Sequence, residues 1–389
     1  MSTSTQRRKY SGIALLSKGY RPFFLGAAIW AVLSLLIWVF SLAAMIEIPT
    51  AFSPSDWHIH EMIFGYAGAV IAGFLLTAVP NWTGRFPIMG GSLLLLVSLW
   101  ILGRIAIFFS AFFHPSIVMI IDLSFSLMLI FVIARELIAG KNWRNLSVLF
   151  VLVIFLIANI FFHIDNWVYG SIDYPPLLGL GAVLAIIMLI GGRIVPSFTR
   201  NWLMRFGIGR MPVSYNRFDE WILIISNIAL INMIFLDQAL IVASLLFLAA
   251  ILNIIRLARW AGDRTVKEPI VFVLHVGYSF VPFGFLALAI FVLFPEYMPK
   301  ASAFHLWTAG AIGMMTMAMM TRVSLGHSGR KIQSDFAITT IYVMLFSAII
   351  LRFVANYLPF YDFTLYSSAT LWIGAYLLFI IRYWKILMT

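Results

Sequence analysis

Residues 57–85 read WHIHEMIFGYAGAVIAGFLLTAVPNWTGR, and this stretch decides the class of fold. Two histidines and a glutamate precede an apolar run of about 20 residues, the length that an α-helix needs to cross a bilayer core of about 30 Å. Small residues recur every four positions, at Gly65, Ala69 and Gly73, and this spacing lets helices pack closely. The stretch therefore predicts a membrane-spanning helix that begins with ionisable groups.

The rest of the chain repeats this apolar pattern. Of its 389 residues, 62% are hydrophobic and 11% are charged, which is too apolar for a soluble domain. We predict an all-α integral membrane protein built as a bundle of 12 transmembrane helices, with residues 1–22 as a cytoplasmic N-terminal tail and residues 23–389 as a single membrane domain. The predicted spans are 23–46, 58–81, 88–110, 115–137, 143–164, 175–195, 219–236, 238–259, 269–294, 300–324, 334–355 and 365–385.

The distribution of basic residues predicts the orientation. If the spans alternate, 23 of the 26 Lys and Arg residues fall on one side, and Lys300 alone lies in the opposite loops. The remaining two, Arg104 and Arg352, lie within spans near that opposite side. Because Lys and Arg collect in cytoplasmic loops, both termini are expected in the cytoplasm. The net charge of +11 thus reflects topology and does not indicate a nucleic-acid partner.

Spans 2, 6 and 10 resemble one another, which suggests three four-helix units. They end on the predicted cytoplasmic side in similar segments rich in Gly, Pro and Arg, at residues 77–85, 191–202 and 320–330. Inward-facing helix ends commonly collect these residue types, so the repeat competes with that simpler interpretation. The same three spans are rich in small residues, and we expect them to lie in the interior of the bundle.

The absence of cysteine limits the possible cofactors. Disulfides, thiolate zinc sites, Cys-ligated iron–sulfur clusters and covalently attached c-type haem are excluded. Histidine is left as the main metal ligand, and neutral imidazole suits haem iron, copper and zinc. A run of methionines between residues 314 and 320 offers thioethers to Cu(I), although methionine more often serves as a packing residue.

Topology places most histidines at one level of the membrane. His60, His163 and His305 all lie near the predicted periplasmic ends of their spans. Two imidazoles from different helices suit a six-coordinate b-type haem, and His60 with His305 is the pair that we expect to bind it. The candidates for copper are His58, Glu61, His163 and His275.

Four further residues are candidates for supporting roles at this site, and they are Arg104, Asp122, Arg352 and His327. Arg104 and Asp122 lie symmetrically about the turn between spans 3 and 4, so we expect them to pair across that hairpin. Asp122 is then better explained as a structural ion-pair partner of Arg104 than as a catalytic residue. Asn159 and His163 are four residues apart and share one face of span 5. His58 fits an interfacial anchor as well as it fits a ligand.

Three segments carry a resemblance to the NnrS family of membrane proteins. They are WHIHEMIFGY with its continuation GFLLTAVPNWTGR at residues 57–85, GGRIVP at 191–196, and TAGAIGMMT through MMTRVSLGHSGR at 308–330. The sequence RPFF at 21–24 also looks like the opening of that family. The resemblance implies haem and copper as cofactors, the bacterial inner membrane as the location, and a role in nitric oxide metabolism or in resistance to nitric oxide stress.

We therefore expect a haem- and copper-binding inner-membrane protein with its metal site near the periplasmic side, surrounded by the lipid bilayer and taking nitric oxide as its small-molecule ligand. If the protein is an enzyme, the resemblance implies an oxidoreductase that acts on nitric oxide. The alternative is a multi-pass transporter of a small solute or metal without redox chemistry. Such carriers usually have ionisable residues near the middle of the membrane, whereas here they lie in the outer third.

Overall fold

The computed structural model describes residues 10–206 and 209–389, and these residues form helices and connecting loops without a β-strand. Twelve long helical segments are labelled in chain order: α1 Tyr20–Leu42, α2 Pro54–Thr83, α3 Gly91–Phe108, α4 Pro115–Ala139, α5 Trp143–Tyr169, α6 Pro175–Leu203, α7 Arg217–Phe235, α8 Ala239–Ala258, α9 Pro269–Leu293, α10 300–327, α11 Phe336–Tyr357 and α12 Tyr361–Met388. The predicted all-helical membrane fold is confirmed.

Eleven of these helices, all except α10, are individually long and apolar enough to cross a membrane. α10 is helical from 300 to 327, which covers the tenth predicted span. The predicted tail of residues 1–22 lies in part outside the described residues, and α1 already begins at Tyr20. α6 extends through Pro196 to Leu203, beyond the predicted end at residue 195, because a proline removes one backbone donor without always ending a helix.

The described chain divides into two compact units. The first contains residues 10–182, 323–329 and 379–389, and within it α2 packs against α1 and α4 while α5 packs against α4. The second contains residues 183–322 and 330–378, and within it α9 packs against α8, α10 and α11. The first unit holds the cluster of ionisable residues described below.

The spans predicted to be interior are the most buried ones. In each of α2 and α6, 78% of an apolar stretch of 18 residues is buried. In the other nine membrane-spanning helices the buried share of such a stretch is 33–56%. Every residue from 310 to 321 in α10 is buried as well. Small residues at helix-packing spacing therefore identified the interior helices correctly.

Local sequence explains where α2 begins and ends. The side chain of Ser53 accepts a hydrogen bond from the backbone N–H of Asp56 (3.1 Å), and Pro54 occupies the first helical turn, where its missing donor costs nothing. Gly84 ends the helix with a φ of 69°, a left-handed conformation that favours glycine.

Two π-helical segments interrupt the membrane helices at related places. One spans Glu61–Ala67 in α2 and begins directly after His60. The other spans Leu306–Gly313 in α10 and begins directly after His305. Such segments are rare and occur frequently at functional sites. The likeness of spans 2 and 10 thus extends to backbone geometry, whereas α6 is α-helical throughout.

A buried guanidinium organises the second unit. Arg256 Nε donates to Asp219 Oδ1 (2.8 Å), and its Nη1 donates to Tyr278 Oη (2.9 Å) and to the carbonyl of Met188 (3.0 Å). Arg256 is 0% exposed, so these bonds replace the water that the charge has lost. A Cβ placed on Gly192 would lie 2.6 Å from Arg256 Cζ, and glycine is therefore required at that position.

We predict that Gly192→Ala destabilises the protein and that Gly191→Ala does not. The methyl group at residue 192 displaces Arg256 from its partners, and breaking a buried ion pair costs about 3–5 kcal/mol. At residue 191 the nearest atom to an added Cβ is 3.5 Å away, an ordinary contact. Thermal unfolding of the two variants in detergent measures the difference, and equal melting temperatures would contradict the role given to Arg256.

Candidate metal centre

The site begins where α2 enters the membrane, with two adjacent ionisable residues. His60 and Glu61 are both 0% exposed, and His60 Nδ1 lies 3.0 Å from Glu61 Oε1. A carboxylate oxygen only accepts hydrogen bonds, so His60 donates here through Nδ1. The π-helical segment that begins at Glu61 thus starts inside the site.

Arg104 of α3 joins two carboxylates from different helices. Its Nη1 donates to Glu61 Oε1 (2.7 Å) and its Nη2 donates to Asp122 Oδ1. Arg104 is 5% exposed and Asp122 2% exposed, so the three charged groups are buried together. The predicted pairing of Arg104 with Asp122 across the α3–α4 hairpin is confirmed. The contact with Glu61 was not predicted, and it ties α2 to that hairpin.

The second carboxylate oxygen of Asp122 gathers three further side chains. Asn159 Nδ2 donates to Asp122 Oδ2 (2.7 Å), and the Nε2 atoms of His60 and His163 each lie 3.2 Å from the same oxygen. His60 Nε2 also lies 3.0 Å from Asn159 Oδ1. One ligand atom from each of His60, Asp122 and His163 falls within 4.8 Å of the others, a spacing at which these three residues can hold a metal ion. We call this set the His60–Asp122–His163 triad.

The triad is enclosed by aromatic rings. The ring of Phe52 is stacked 6.0 Å from that of His60, and Phe162 meets His60 edge to face at 5.1 Å. Phe64 lies 5.1 Å from His60 on the side that leads deeper into α2. Such walls exclude water, and a low dielectric strengthens every electrostatic interaction inside them.

The two carboxylates of the site outnumber its guanidinium. With both carboxylates ionised, Glu61 and Asp122 contribute two negative charges and Arg104 one positive charge. Both ring nitrogens of His60 face oxygen acceptors, an arrangement in which a doubly protonated His60 supplies the second positive charge. An isolated charge at membrane depth costs several kcal/mol, and buried charges are therefore paired or bound to metals. A cation held by the triad would take the place of the His60 proton as the second positive charge.

The donor set of the triad suits a transition-metal ion. Two imidazoles and one carboxylate suit copper, zinc and iron, and thiolate ligands are absent because the chain has no cysteine. Partners outside the ligand set commonly hold ligands in place. Here Glu61 holds His60 through Nδ1, while Arg104 and Asn159 hold Asp122.

The structure brings together some of the candidate residues and leaves others apart. His60, Glu61, Arg104, Asp122 and His163 meet in one cluster. His58 is adjacent in sequence, but its ring stacks on Trp38 at 4.8 Å, a contact that fits the anchoring interpretation. His327 is near the other end of α10, where its ring lies 6.0 Å from that of Tyr20.

Three candidates belong to the second unit. His305 Nδ1 donates to the backbone carbonyl of Ala301 (2.7 Å). His275 Nε2 lies 2.8 Å from Thr199 Oγ1, and Arg352 lies near the end of α11. The bond to Ala301 leaves the electron pair of neutral His305 on Nε2, and metal-binding histidines are usually oriented by a hydrogen bond of this kind.

The two histidines expected to bind haem differ in the contacts of their ring nitrogens. His305 has the tautomer that an axial ligand needs. Both ring nitrogens of His60 face oxygen atoms, Glu61 Oε1 on one side and Asn159 Oδ1 with Asp122 Oδ2 on the other. His60 Nε2 thus faces the same oxygen of Asp122 as His163 Nε2 does.

All three members of the triad were site candidates in the sequence, but the sequence did not predict that they meet in one group. Asn159 was assigned to the same face as His163, and both indeed reach Asp122. The depth of these residues was a sufficient signal that they share a layer. Phe52 and Phe162 enclose the triad, but nothing in the sequence distinguishes them from the rest of the 35 phenylalanines.

Comparison with protein families gave one informative match. The family model described as "NnrS protein" matches residues 14–389, nearly the whole chain. A search of curated proteins found no match.

We predict that Arg104→Leu destabilises the protein by about 3–5 kcal/mol, because it leaves two buried carboxylates without their partner. Adding Glu61→Gln and Asp122→Asn removes those charges and should restore much of the loss. Arg135→Leu is the control, since Arg135 pairs with Glu136 but is 52% exposed, and such pairs contribute at most about 1 kcal/mol. Unfolding in detergent by denaturant compares the three. Equal losses for Arg104→Leu and Arg135→Leu would show that the buried cluster does not depend on Arg104.

Proposed function

This chain belongs to the NnrS family, and we propose that it is a haem- and copper-binding protein of the bacterial inner membrane that acts in nitric oxide metabolism or in resistance to nitric oxide stress. The multi-pass helical fold and the family match support a membrane protein linked to nitric oxide. The metals, the periplasmic position of the site and nitric oxide as the ligand are parts of the proposal.

The observation that carries the proposal is the buried His60–Asp122–His163 triad, whose ligand atoms lie within 4.8 Å of one another. We assign copper to this triad. Cu(I) brings one positive charge, the same as the proton that it would replace on His60, and imidazole is a suitable ligand for it. The sequence had placed His60 at haem and His163 at copper, whereas their shared contact with Asp122 favours one site for both.

We assign His305 as the protein ligand to haem. Its Nδ1 donates to the Ala301 carbonyl, and a neutral imidazole in this tautomer would coordinate iron through Nε2. When bound, haem would supply a redox-active iron that coordinates nitric oxide. The chain itself would hold the imidazole in one tautomer and begin a π-helical segment at the next residue.

The residues around the triad would keep the copper ligands oriented and dry. Arg104 and Asn159 hold the two oxygens of Asp122, and Glu61 fixes the ring of His60. The aromatic walls exclude water, yet nitric oxide is uncharged and soluble in lipid, so it reaches such a site through the membrane. This arrangement suits a gas better than a charged solute.

We predict that the purified protein contains copper and that His163→Ala and Asp122→Asn lose most of it. The control is His114→Asn, which changes an exposed histidine at the start of α4 and keeps a capping side chain there. Metal analysis of detergent-purified protein after copper loading and removal of excess metal measures the stoichiometry. Equal copper in all four proteins would exclude the triad, and copper absent from all of them would exclude the copper site altogether.

We also predict a Soret band that depends on His305. His305→Ala should lose haem or change its axial coordination, because the iron loses a ligand, while His60→Ala should lower copper and leave the haem spectrum in place. Absorption and electron paramagnetic resonance spectra of the two variants distinguish the sites. If His60→Ala changes the haem coordination as strongly as His305→Ala, then His60 is an iron ligand and the assignment of copper to it fails. A protein without haem or copper would favour a transporter.

A further inference from the structure

Arg352 lies inside a membrane span of the second unit, and it forms no ion pair with a carboxylate in the described part of the chain. It is half-buried near the C-terminal end of α11, and its Nη1 atom is buried without a hydrogen-bond partner. The buried Arg104 and Arg256 each pair with a carboxylate. Tyr361 is a titratable neighbour of Arg352, but its phenol is neutral at physiological pH. A charge at membrane depth is costly unless it is paired, so Arg352 needs an anion to balance it.

The position of Arg352 on α11 directs its guanidinium into the protein. An arginine near a helix end often extends to the lipid headgroups instead. Arg352 follows Leu345 by seven residues and Ala348 by four, so it continues the buried stripe of α11. Within the second unit α11 packs against α9 and α10, and protein atoms cover Nη1. The guanidinium is therefore held against the protein and is not extended into lipid.

Arg352 and His305 lie at nearly the same depth on neighbouring helices that run in opposite directions. Ser302 Oγ on α10 donates a hydrogen bond to the carbonyl of Phe353 on α11 (2.8 Å), so these two residues are level with each other. Counted from that contact, His305 lies three residues deeper and Arg352 one residue deeper. At 1.5 Å per residue, their Cα atoms differ by about 3 Å in depth.

The side chains of His305 and Arg352 also lean toward each other. Side chains on an α-helix tilt toward the N-terminus of that helix, and α10 and α11 have opposite directions. The ring of His305 accordingly reaches back to the carbonyl of Ala301, one turn earlier (2.7 Å). Arg352 tilts the opposite way, from the end of α11 toward the middle of the membrane. The second unit thus places an imidazole and a cation without a counter-charge at one level.

We propose that Arg352 binds a propionate carboxylate of the haem that His305 would hold. This inference rests on the proposed function, because the haem belongs to that proposal. Haem is flat and mostly apolar but carries two propionate carboxylates, and arginine matches a carboxylate with two parallel hydrogen bonds. The carboxylate would supply the negative charge that Arg352 lacks. A lipid phosphate offers the same oxyanion chemistry, but it would not make Arg352 sensitive to esterification of haem.

Haem and its dimethyl ester distinguish the two sources, because the ester keeps the iron and the macrocycle but has no carboxylate. Haem-free full-length protein is titrated with each, and the Soret band reports binding. Arg352→Gln should weaken haem binding by about 10- to 100-fold, as expected for the loss of a hydrogen bond between charged groups, and should leave binding of the ester unchanged. Arg352→Lys should retain part of the preference for haem.

Lys300→Gln is the matched control, because Lys300 is a cation at the start of α10 but is exposed. This variant should keep the preference for haem over the ester. Equal losses in Lys300→Gln and Arg352→Gln would indicate a general attraction for anions and would overturn the assignment of Arg352.

Thermal unfolding of the haem-free proteins tests a purely structural role. Removing a cation without a partner should not lower the melting temperature, and a loss as large as that of Arg104→Leu would overturn the proposal. Haem bound equally well by the unchanged protein and by Arg352→Gln would also overturn it, in favour of a lipid phosphate, while the proposed function stands. Failure of the unchanged protein to bind either haem or the ester would defeat the proposed function, and this inference with it.

Discussion

Two carboxylates share one guanidinium in a layer that water does not reach, and much of the first unit is arranged around that constraint. Glu61 comes from α2, Arg104 from α3 and Asp122 from α4, so satisfying Arg104 fixes three helices at one depth. α5 joins them because Asn159 and His163 both bind the remaining oxygen of Asp122. A buried charge must be paired, and here the pairing also gathers two imidazoles.

The same constraint links structure to the proposed chemistry. A single balanced ion pair would stabilise the hairpin and leave no charge for a ligand to neutralise. This cluster has two carboxylates, one more than its guanidinium neutralises. The aromatic rings around His60 make that excess costly. A proton on His60 or a metal ion in its place relieves the cost, and the two imidazoles and the carboxylate provide donors of the kind that copper takes. Family membership gives this centre its proposed context in nitric oxide metabolism.

The sequence predicts depth well and predicts the angular position of side chains poorly. Span length and charge alternation located most helix ends to within a few residues, and symmetry about a turn was enough to pair Arg104 with Asp122. The regular spacing of small residues identified the interior helices. The contact between Glu61 and Arg104 depends on how α2 is rotated against α3, and no pattern within one helix sets that rotation. The π-helical segment after His60 further alters which residues share a face.

The same limit explains the assignment of the histidines. His60, His163 and His305 were placed at one level, which made a pairing of His60 with His305 as reasonable as any other. Side-chain contacts then divide them, because His60 and His163 share Asp122 while His305 is oriented by Ala301 in the second unit. Depth therefore predicted the set of candidates, and helix packing determined their grouping.

Copper K-edge X-ray absorption of the purified, copper-loaded protein tests the central claim most directly. The His60–Asp122–His163 triad predicts nitrogen and oxygen ligands only, with the outer-shell scattering of two imidazoles, and it predicts that His163→Ala removes one of them. A sulfur shell would instead place copper at the methionines of residues 314–320. A spectrum without two imidazoles, or one that His163→Ala leaves unchanged, would contradict the triad as the copper site.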